Sequence, residues 1–570
     1  MDTLTETIKR EIGQHFVFGF HGQTASNDIK MLIKDYFVGN IILMKRNIKD
    51  FEQVRSLVHE LQLIAKEADH EKPLMIGIDQ ENGLVSAFSS PAAGTQFPGA
   101  MAIAAIGSID MAEAVAGATA NELRLAGINW AYSPVADVNS DPLNPVIGVR
   151  SFGDDPKKVA QFSTAVARGL SSNGVASCAK HFPGHGDTHV DSHLSLPRIL
   201  KSKEALGSTE LLPFQSIMEA GVLSSVMTGH MALPEITGDD TPASLSKTIT
   251  TDILRKSLCY NGVVVTDCLE MDAIADVNNG GCGVEEGAVR SLEAGADIVM
   301  ICHTFQRQVG ALESVYRATL SGRLKNGWIE SEKRISYMKD GFAKSWSAVL
   351  PAEGDDFVYQ WQELKKRNIS LSHEAYCRST AVIWGSKLLS GISPQIQSGK
   401  GQILLLTPSM ESVNKAVDDE ESIIRNSDGI VRNTAGASYL SLASSVKKRR
   451  ECNHCVYSAT DAHIFDARSL DGVSGIIFVM RNADQRPWQR QHLVKILQTL
   501  RTPTNELSIP VIVVASCGPY DLMEGFEDSR DSIVYLGTFE FTAEAFEAVV
   551  AVIFGEHQAT GKVPVSIVGR

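Results

Sequence analysis

Short apolar runs recur along the N-terminal part of the chain. They lie at Phe16–Phe20, Asn40–Met44, Pro73–Asp79, Ile128–Val138, Val175–Lys180, Ser224–Met231, Gly262–Cys268 and Ala296–His303. Each is of strand length and nearly continuous in apolar residues, the pattern of a strand covered on both faces. Between most of them lie segments with helical spacing, and Leu4, Ile8 and Ile12 open the chain in the same way. Gly39, Gly127, Gly174, Gly221, Gly262 and Gly295 stand just before a run or at its start. Glycine is the favoured left-handed residue past a helix end, so each predicts a helix closing and a strand beginning. Eight strand–helix units within residues 1–345 predict an α/β fold, a (β/α)8 TIM barrel. An open doubly wound sheet is the alternative that a strand count leaves standing.

The rhythm changes near residue 345. Residues 346–380 are polar and mixed, with Pro351, Gly354 and a charged run from Glu363 to Arg367, and predict a linker plus a first helix. New apolar runs follow at Gln402–Leu406, Gly475–Met480 and Ile509–Ala515, with a helical pattern at Phe541–Phe554. They predict a smaller C-terminal α/β sandwich domain over residues 381–570.

Polar residues gather where the first eight runs end. Asp79-Gln80-Glu81-Asn82-Gly83 follows the third, Arg150 to Asp154 the fourth, Thr228 to Met231 the sixth, Thr266 to Met271 the seventh and Cys302-His303 the eighth. In a parallel barrel these ends share one mouth. After the fifth run, Pro183, Gly184 and Gly186 break regular structure, and the broken stretch holds Lys180, His181, His185, Asp187, His189, Asp191 and His193. Histidines at every fourth position would suit metal on a helix, but the proline and glycines argue against that helix. The favoured reading is an acid/base loop in which Asp191 orients His193 and raises its pKa.

Composition narrows the picture. The 570 residues, 44% hydrophobic and 21% charged, describe a globular protein with more than one core. A net charge of −14 argues against nucleic acid as a ligand. The one basic run, Lys447 to Arg450, reads as a solvated turn. Nine cysteines, an odd number, read as reduced thiols, and Cys452-Asn-His-Cys455 as a surface loop. The N-terminal residues lack an apolar signal region, and no stretch approaches ~18 continuous apolar residues. A cytoplasmic location without membrane contact is therefore expected.

The run Lys180-His181-Phe182-Pro183-Gly184-His185-Gly186-Asp187-Thr188, followed by Asp191-Ser192-His193, resembles the signature of glycoside hydrolase family 3. More narrowly, it resembles the β-N-acetylglucosaminidase branch, and the ending Ala559 to Val565 resembles the close of the family's second domain. The resemblance implies an exo-acting, retaining hydrolase that removes terminal β-linked N-acetylglucosamine. Its nucleophile would be Asp267, in Thr266-Asp267-Cys268-Leu269-Glu270-Met271, and its acid/base His193 assisted by Asp191. Asp79, Arg150, Lys180 and His181 match the family's hydroxyl-binding positions, and His230 is a weaker candidate, equally readable as a satisfied core histidine. No metal or organic cofactor is implied. The expected partner is a small glycoside or amino-sugar oligosaccharide.

These roles fit the residue types. A carboxylate at the end of a buried strand is held rigidly for attack, although Asp there also commonly caps a helix. Glu270 and Asp272 read as the start of a surface helix. A histidine titrates near neutrality and so can give and take a proton in one cycle. The chain departs from the family at Leu84 and Ala87, where bacterial relatives usually carry two arginines. That leaves the proposed catalytic groups intact and alters the rim of the sugar pocket. Three alternatives remain: a β-glucosidase of the same family, a metal-dependent hydrolase using the histidine loop, and a catalytically silent sugar-binding protein.

Overall fold

The eight apolar runs become eight parallel strands: β1 (Phe16–Phe18), β2 (Asn40–Leu43), β3 (Met75–Ile78), β4 (Trp130–Ala131), β5 (Cys178–Phe182), β6 (Ser225–Thr228), β7 (Val263–Cys268) and β8 (Ile298–Ile301). The computed structural model describes residues 6–89, 93–188, 196–324, 328–351, 356–410, 435–460, 470–501, 508–522 and 525–567. The strand order β4-β3-β2-β1-β8-β7-β6-β5 is that of a barrel opened between β4 and β5. Parallel bridges from Trp130 to Ala176 and from Val135 to Lys180 span that seam, so the sheet closes. Closure removes the open-sheet alternative.

Period-two alternation divides each strand between two cores. Val17, Ile42, Met75, Trp130, Cys178, Val263 and Val265 pack together inside the barrel. Phe16, Phe18, Ile41, Leu43, Ile76 and Ile78 pack outward against helices. The helix Phe51–Glu67 shows why: it buries Val54, Leu57, Val58, Leu61, Ile64 and Ala65 as one stripe. Asp50 caps it, its carboxylate accepting from the Gln53 N–H at 2.8 Å. The opening helix spans Glu6–Gly13. Among the described residues, no helix is long and apolar enough to cross a membrane.

Four expectations need correction, two of them in the barrel. Gly127, Gly174, Gly221 and Gly295 are left-handed, but Gly39 and Gly262 are not among the positive-φ glycines. A Cβ at Gly39 would meet the side-chain ends of Gln14 and Lys339. The fifth strand also runs on through His181 and Phe182, past the point where sequence ended it. Pairing with β6 carries it there, although the register shifts between Ala179 and Phe182.

The chain divides into two compact units: residues 1–96, 109–147 and 155–370 in one, and 97–108, 148–154 and 371–570 in the other. No change in composition marks the two early segments that belong to the second unit. That unit holds a six-stranded sheet of β9 (Ala381–Trp384), β10 (Gln402–Pro408), β11 (Cys452–Tyr457), β12 (Val473–Met480), β13 (Val511–Ala515) and β14 (Ile533–Gly537). Its order is β9-β14-β13-β12-β10-β11, all parallel except the β9–β14 pair. The Cys452–Cys455 stretch is therefore an edge strand and not a loop, held by six registered pairs with β10 from Ile403–Cys452 to Pro408–Tyr457. Nor is the basic run a solvated turn. Lys447 to Arg449 end the helix Gly436–Arg449, where cations complement the dipole, and Arg449 pairs with Glu547 at 2.8 Å and Glu556 at 2.6 Å.

Candidate active site

Asp267 is the next-to-last residue of β7. Ile298 of β8 pairs with Val265, but Met300 pairs with Cys268, so β7 carries one extra residue at this point. Such a bulge re-aims side chains at a strand end. Asp267 is half-buried, and its Oδ1 accepts the N–H of Cys268 at 2.7 Å. Glu270, three residues on, is occupied elsewhere. Its carboxylate accepts the N–H groups of Cys302, His303 and Thr304 at 3.0, 2.6 and 3.0 Å, fixing the turn after β8.

Lys180 lies on β5 with its side chain only 2% exposed. Its ammonium sits 2.7 Å from Asp79 and 2.7 Å from Glu81, one cation between two carboxylates. Asp79 is 31% exposed and Glu81 6%, so Asp79 is the member that solvent or a ligand reaches. A hairpin carries Glu81 just past Asp79: Gln80–Asn82 pairs with Val85–Ser86 around the two loop residues Gly83 and Leu84, with Gly83 at a φ of 61°. Glycine as the first of the two loop residues supplies the positive φ that a tight hairpin of this kind needs. Leu84 belongs to that hairpin, and Ala87 packs partly buried against the outer core.

His181 follows Lys180 through a cis peptide bond and is buried. Its Nδ1 lies 2.7 Å from Oδ2 of Asp137, which fixes the proton on Nδ1. Oδ1 of Asp137 accepts the N–H groups of His181 and His185 at 3.1 and 2.7 Å. Burial pushes the Asp137 carboxyl upward, but the His181 charge and hydrogen bonds outweigh it, and its pKa falls below the ordinary value. The start of the following loop is pinned in turn. His185 Nδ1 meets Thr188 Oγ1 at 2.9 Å, and Lys201 bridges Asp187 at 3.2 Å and buried Glu210 at 2.5 Å. Asp191 and His193, with His189, lie outside the described residues.

Sequence similarity bears on this arrangement. The family model described as "Glycosyl hydrolase family 3 N terminal domain" matches residues 7–336. The chain belongs to glycosyl hydrolase family 3. A curated relative from Pseudoalteromonas piscicida, "Beta-hexosaminidase A", is 36% identical over 330 residues, covering 55% of this chain and 54% of that protein. The chain thus spans about half the length of that relative. A "Beta-hexosaminidase" of Neisseria meningitidis serogroup B is 35% identical over 281 residues, 48% of this chain and 74% of that one. Among solved structures, a family 3 β-N-acetylglucosaminidase from Paenibacillus superposes with a TM-score of 0.81 at 32% identity, covering 99% of both chains. A fungal multi-domain family 3 β-N-acetylglucosaminidase gives 0.84 at 36%, covering 98% of this chain and 60% of the other.

Within this family 3 chain, the structure brings Asp79, Lys180, His181 and Asp267 to the ends of β3, β5 and β7. It treats two further candidates differently. His230 is wholly buried, with Nδ1 2.8 Å from Ser244 Oγ and Nε2 3.0 Å from the Cys268 carbonyl. Both ring nitrogens are thus engaged by protein, the arrangement of a satisfied core histidine. Arg150 is buried on the short turn Gly148–Arg150, in a segment of the second unit.

Sequence reasoning passed over Glu81 and Asp137. Glu81 stood in the quoted Asp79–Gly83 stretch, yet nothing in one sequence says which of two nearby acids meets a lysine a hundred residues on. Asp137 had a weak signal: a lone carboxylate closing an apolar run. A third group also lies at these strand ends. Cys268 accepts hydrogen bonds from Cys302 and His303, which lower its pKa against burial, while that of Cys302 rises. Arg46 reaches His303 Nδ1 at 3.2 Å and the Cys302 carbonyl at 2.6 Å.

Proposed function

We propose that this chain is an exo-acting, retaining β-N-acetylglucosaminidase, with Asp267 as nucleophile and His193, assisted by Asp191, as acid/base. One observation carries the reading: a half-exposed carboxylate stands at a bulged strand end of a closed barrel, with Asp79, Lys180 and His181 at the ends of β3 and β5. In the first step an Asp267 oxygen bonds to the anomeric carbon as the glycosidic C–O bond breaks, and His193 gives its proton to the leaving oxygen. In the second, His193 takes a proton from water, the water oxygen attacks the same carbon, and the bond to Asp267 breaks. Asp79 and Lys180 would hold adjacent sugar hydroxyls by charge-assisted hydrogen bonds. The names of the family relatives support an N-acetylhexosamine as the terminal sugar.

The test is kcat/KM on aryl β-N-acetylglucosaminide and aryl β-glucoside side by side, with Asp267→Ala as control. A strong preference for the N-acetyl sugar, abolished in the variant, is expected. Preference for glucose would place the chain among the family's β-glucosidases. No turnover on either would make it a sugar-binding protein. His193→Ala should lose most activity on poor leaving groups and less on activated aryl glycosides. Equal loss on both would remove His193 as the acid.

A further inference from the structure

Cys268, Cys302 and His303 offer a sulfur, a sulfur and a ring nitrogen that all lie within 4.8 Å of one another. A tetrahedral zinc-type ion, with bonds to sulfur of about 2.3 Å, needs its two sulfurs about 3.8 Å apart. The three groups are therefore close to a ligand cage before any ion arrives. Their backbones are also fixed. Cys268 ends β7, and Cys302 and His303 directly follow β8, its parallel neighbour. Glu270 accepts both the Cys302 and His303 N–H groups, and Arg46 holds the Cys302 carbonyl.

Charge and access agree with this geometry. With both thiols ionised, two thiolates, Glu270 and Arg46 sum to −2, which one dication neutralises. His303 is exposed and Cys268 half-buried, so an ion has a path in from solvent. Two sulfurs and an imidazole select a soft or borderline metal over magnesium or calcium.

We propose that Cys268, Cys302 and His303 bind one thiophilic dication of the zinc class, with solvent in the fourth position. Each thiol gives its proton to solvent as its sulfur bonds the metal. The ion is no participant in glycoside hydrolysis. It acts on it, because the N–H of Cys268 is one donor to the Asp267 carboxylate. Occupancy therefore slows turnover, a consequence that rests on the nucleophile role proposed for Asp267; the binding does not.

The test uses the reduced, chelator-stripped full chain carrying His557→Ala. That change disables a second, exposed group of ligand atoms at His373, Cys377 and His557. Titration with Co2+ should produce a thiolate-to-cobalt charge-transfer absorption that saturates at one ion per chain and is bleached by Zn2+. Adding His303→Ala should weaken binding at least about 10-fold, the smaller effect seen when even an outer-shell partner is removed. Cys302→Ser should weaken the band as well. Because His303 is exposed, its variant keeps the test meaningful if the buried cysteine variant fails to fold. No band, or unchanged affinity in the His303→Ala protein, overturns the site. Zn2+ should slow turnover only while His303 is present. A normal titration with turnover indifferent to Zn2+ would leave the site standing and overturn the Asp267 linkage.

Discussion

At the scale of single residues, the candidate site depends on charges that are buried and paired. Lys180 lies between Asp79 and Glu81, so removing it takes away a buried cation that both carboxylates share. Lys180→Met should lower kcat/KM at least about 10-fold, because a buried charge-assisted donor is lost beside the proposed sugar site. A kcat/KM within about twofold of the wild-type value would show that Lys180 takes no part in holding the sugar. Asp137 is a positioning residue, since it touches His181 and His185 rather than the proposed reacting atoms. Asp137→Ala takes a buried acceptor away from two N–H groups and an imidazole. It should cost about 3–5 kcal/mol in urea unfolding, the usual price of breaking a buried pair. These two buried acids were not singled out from sequence, because burial and partner choice are properties of the assembled barrel. Asp79, Lys180 and His181 were legible, because their spacing is local and follows an apolar run.

At the scale of elements, one carboxylate ties three pieces of the barrel together away from the candidate site. Asp297, wholly buried just before β8, pairs with Arg255 at 2.5 Å and Arg334 at 2.7 Å. It also accepts the Val264 N–H at 2.8 Å and the Ser331 hydroxyl at 2.7 Å. Arg255 belongs to the helical segment Thr248–Ser257 and Arg334 to the helix Trp328–Phe342, so both are anchored to the strand layer through it. Asp297→Ala takes the buried carboxylate away from two arginines and should destabilise the barrel unit by about 3–5 kcal/mol. Turnover per folded molecule should stay near the wild-type value, measured as kcat normalised to active sites. A selective fall in kcat would mean this end of the barrel communicates with β7. The apolar pattern located the strands well, but it ended β5 two residues early and read β11 as a loop. In both cases polar residues sit in a strand because neighbouring strands supply the ladder, and a lone sequence does not display its neighbours.

At the scale of the whole molecule, the two units should answer acid in opposite senses. In the barrel unit, burial lowers His15 and His70 to about 4. The unfolded chain then binds more protons between about pH 4 and the ordinary value of 6.5, so the barrel gains stability as pH rises through that window. Each costs up to roughly 3 kcal/mol of stability as pH falls from neutral to about 4. Buried Lys339, lowered to about 7, extends the gain to higher pH, while Glu122, raised by burial, opposes it at lower pH. In the second unit, burial raises Glu540 to about 7 despite hydrogen bonds from the Gly99 N–H, Tyr376 and Thr542. Its native form holds a proton that the unfolded chain releases above about 4.5, so this stability is complete below 4.5 and lost as pH rises through 7. Asp521, also raised by burial, has the same sign. Hydrogen exchange resolved by peptide, at pH 5 and pH 7.5 with intrinsic rates corrected, should show barrel protection rising and second-unit protection falling. Parallel changes would show that other groups govern both.

The sequence by itself determined the succession of strands and helices, the family, and the local stretches in which the proposed chemistry resides. Hydrophobic period and motif spacing are carried by neighbours along the chain, so they survive without a fold. Only the tertiary structure decided that the sheet closes between β4 and β5, and that residues 97–108 and 148–154 belong with the second unit. It also decided which carboxylates meet Lys180 and that Cys268, Cys302 and His303 converge. These are contacts between residues tens to hundreds of positions apart. Their energies depend on desolvation and on a specific partner, and both exist only once the barrel has formed.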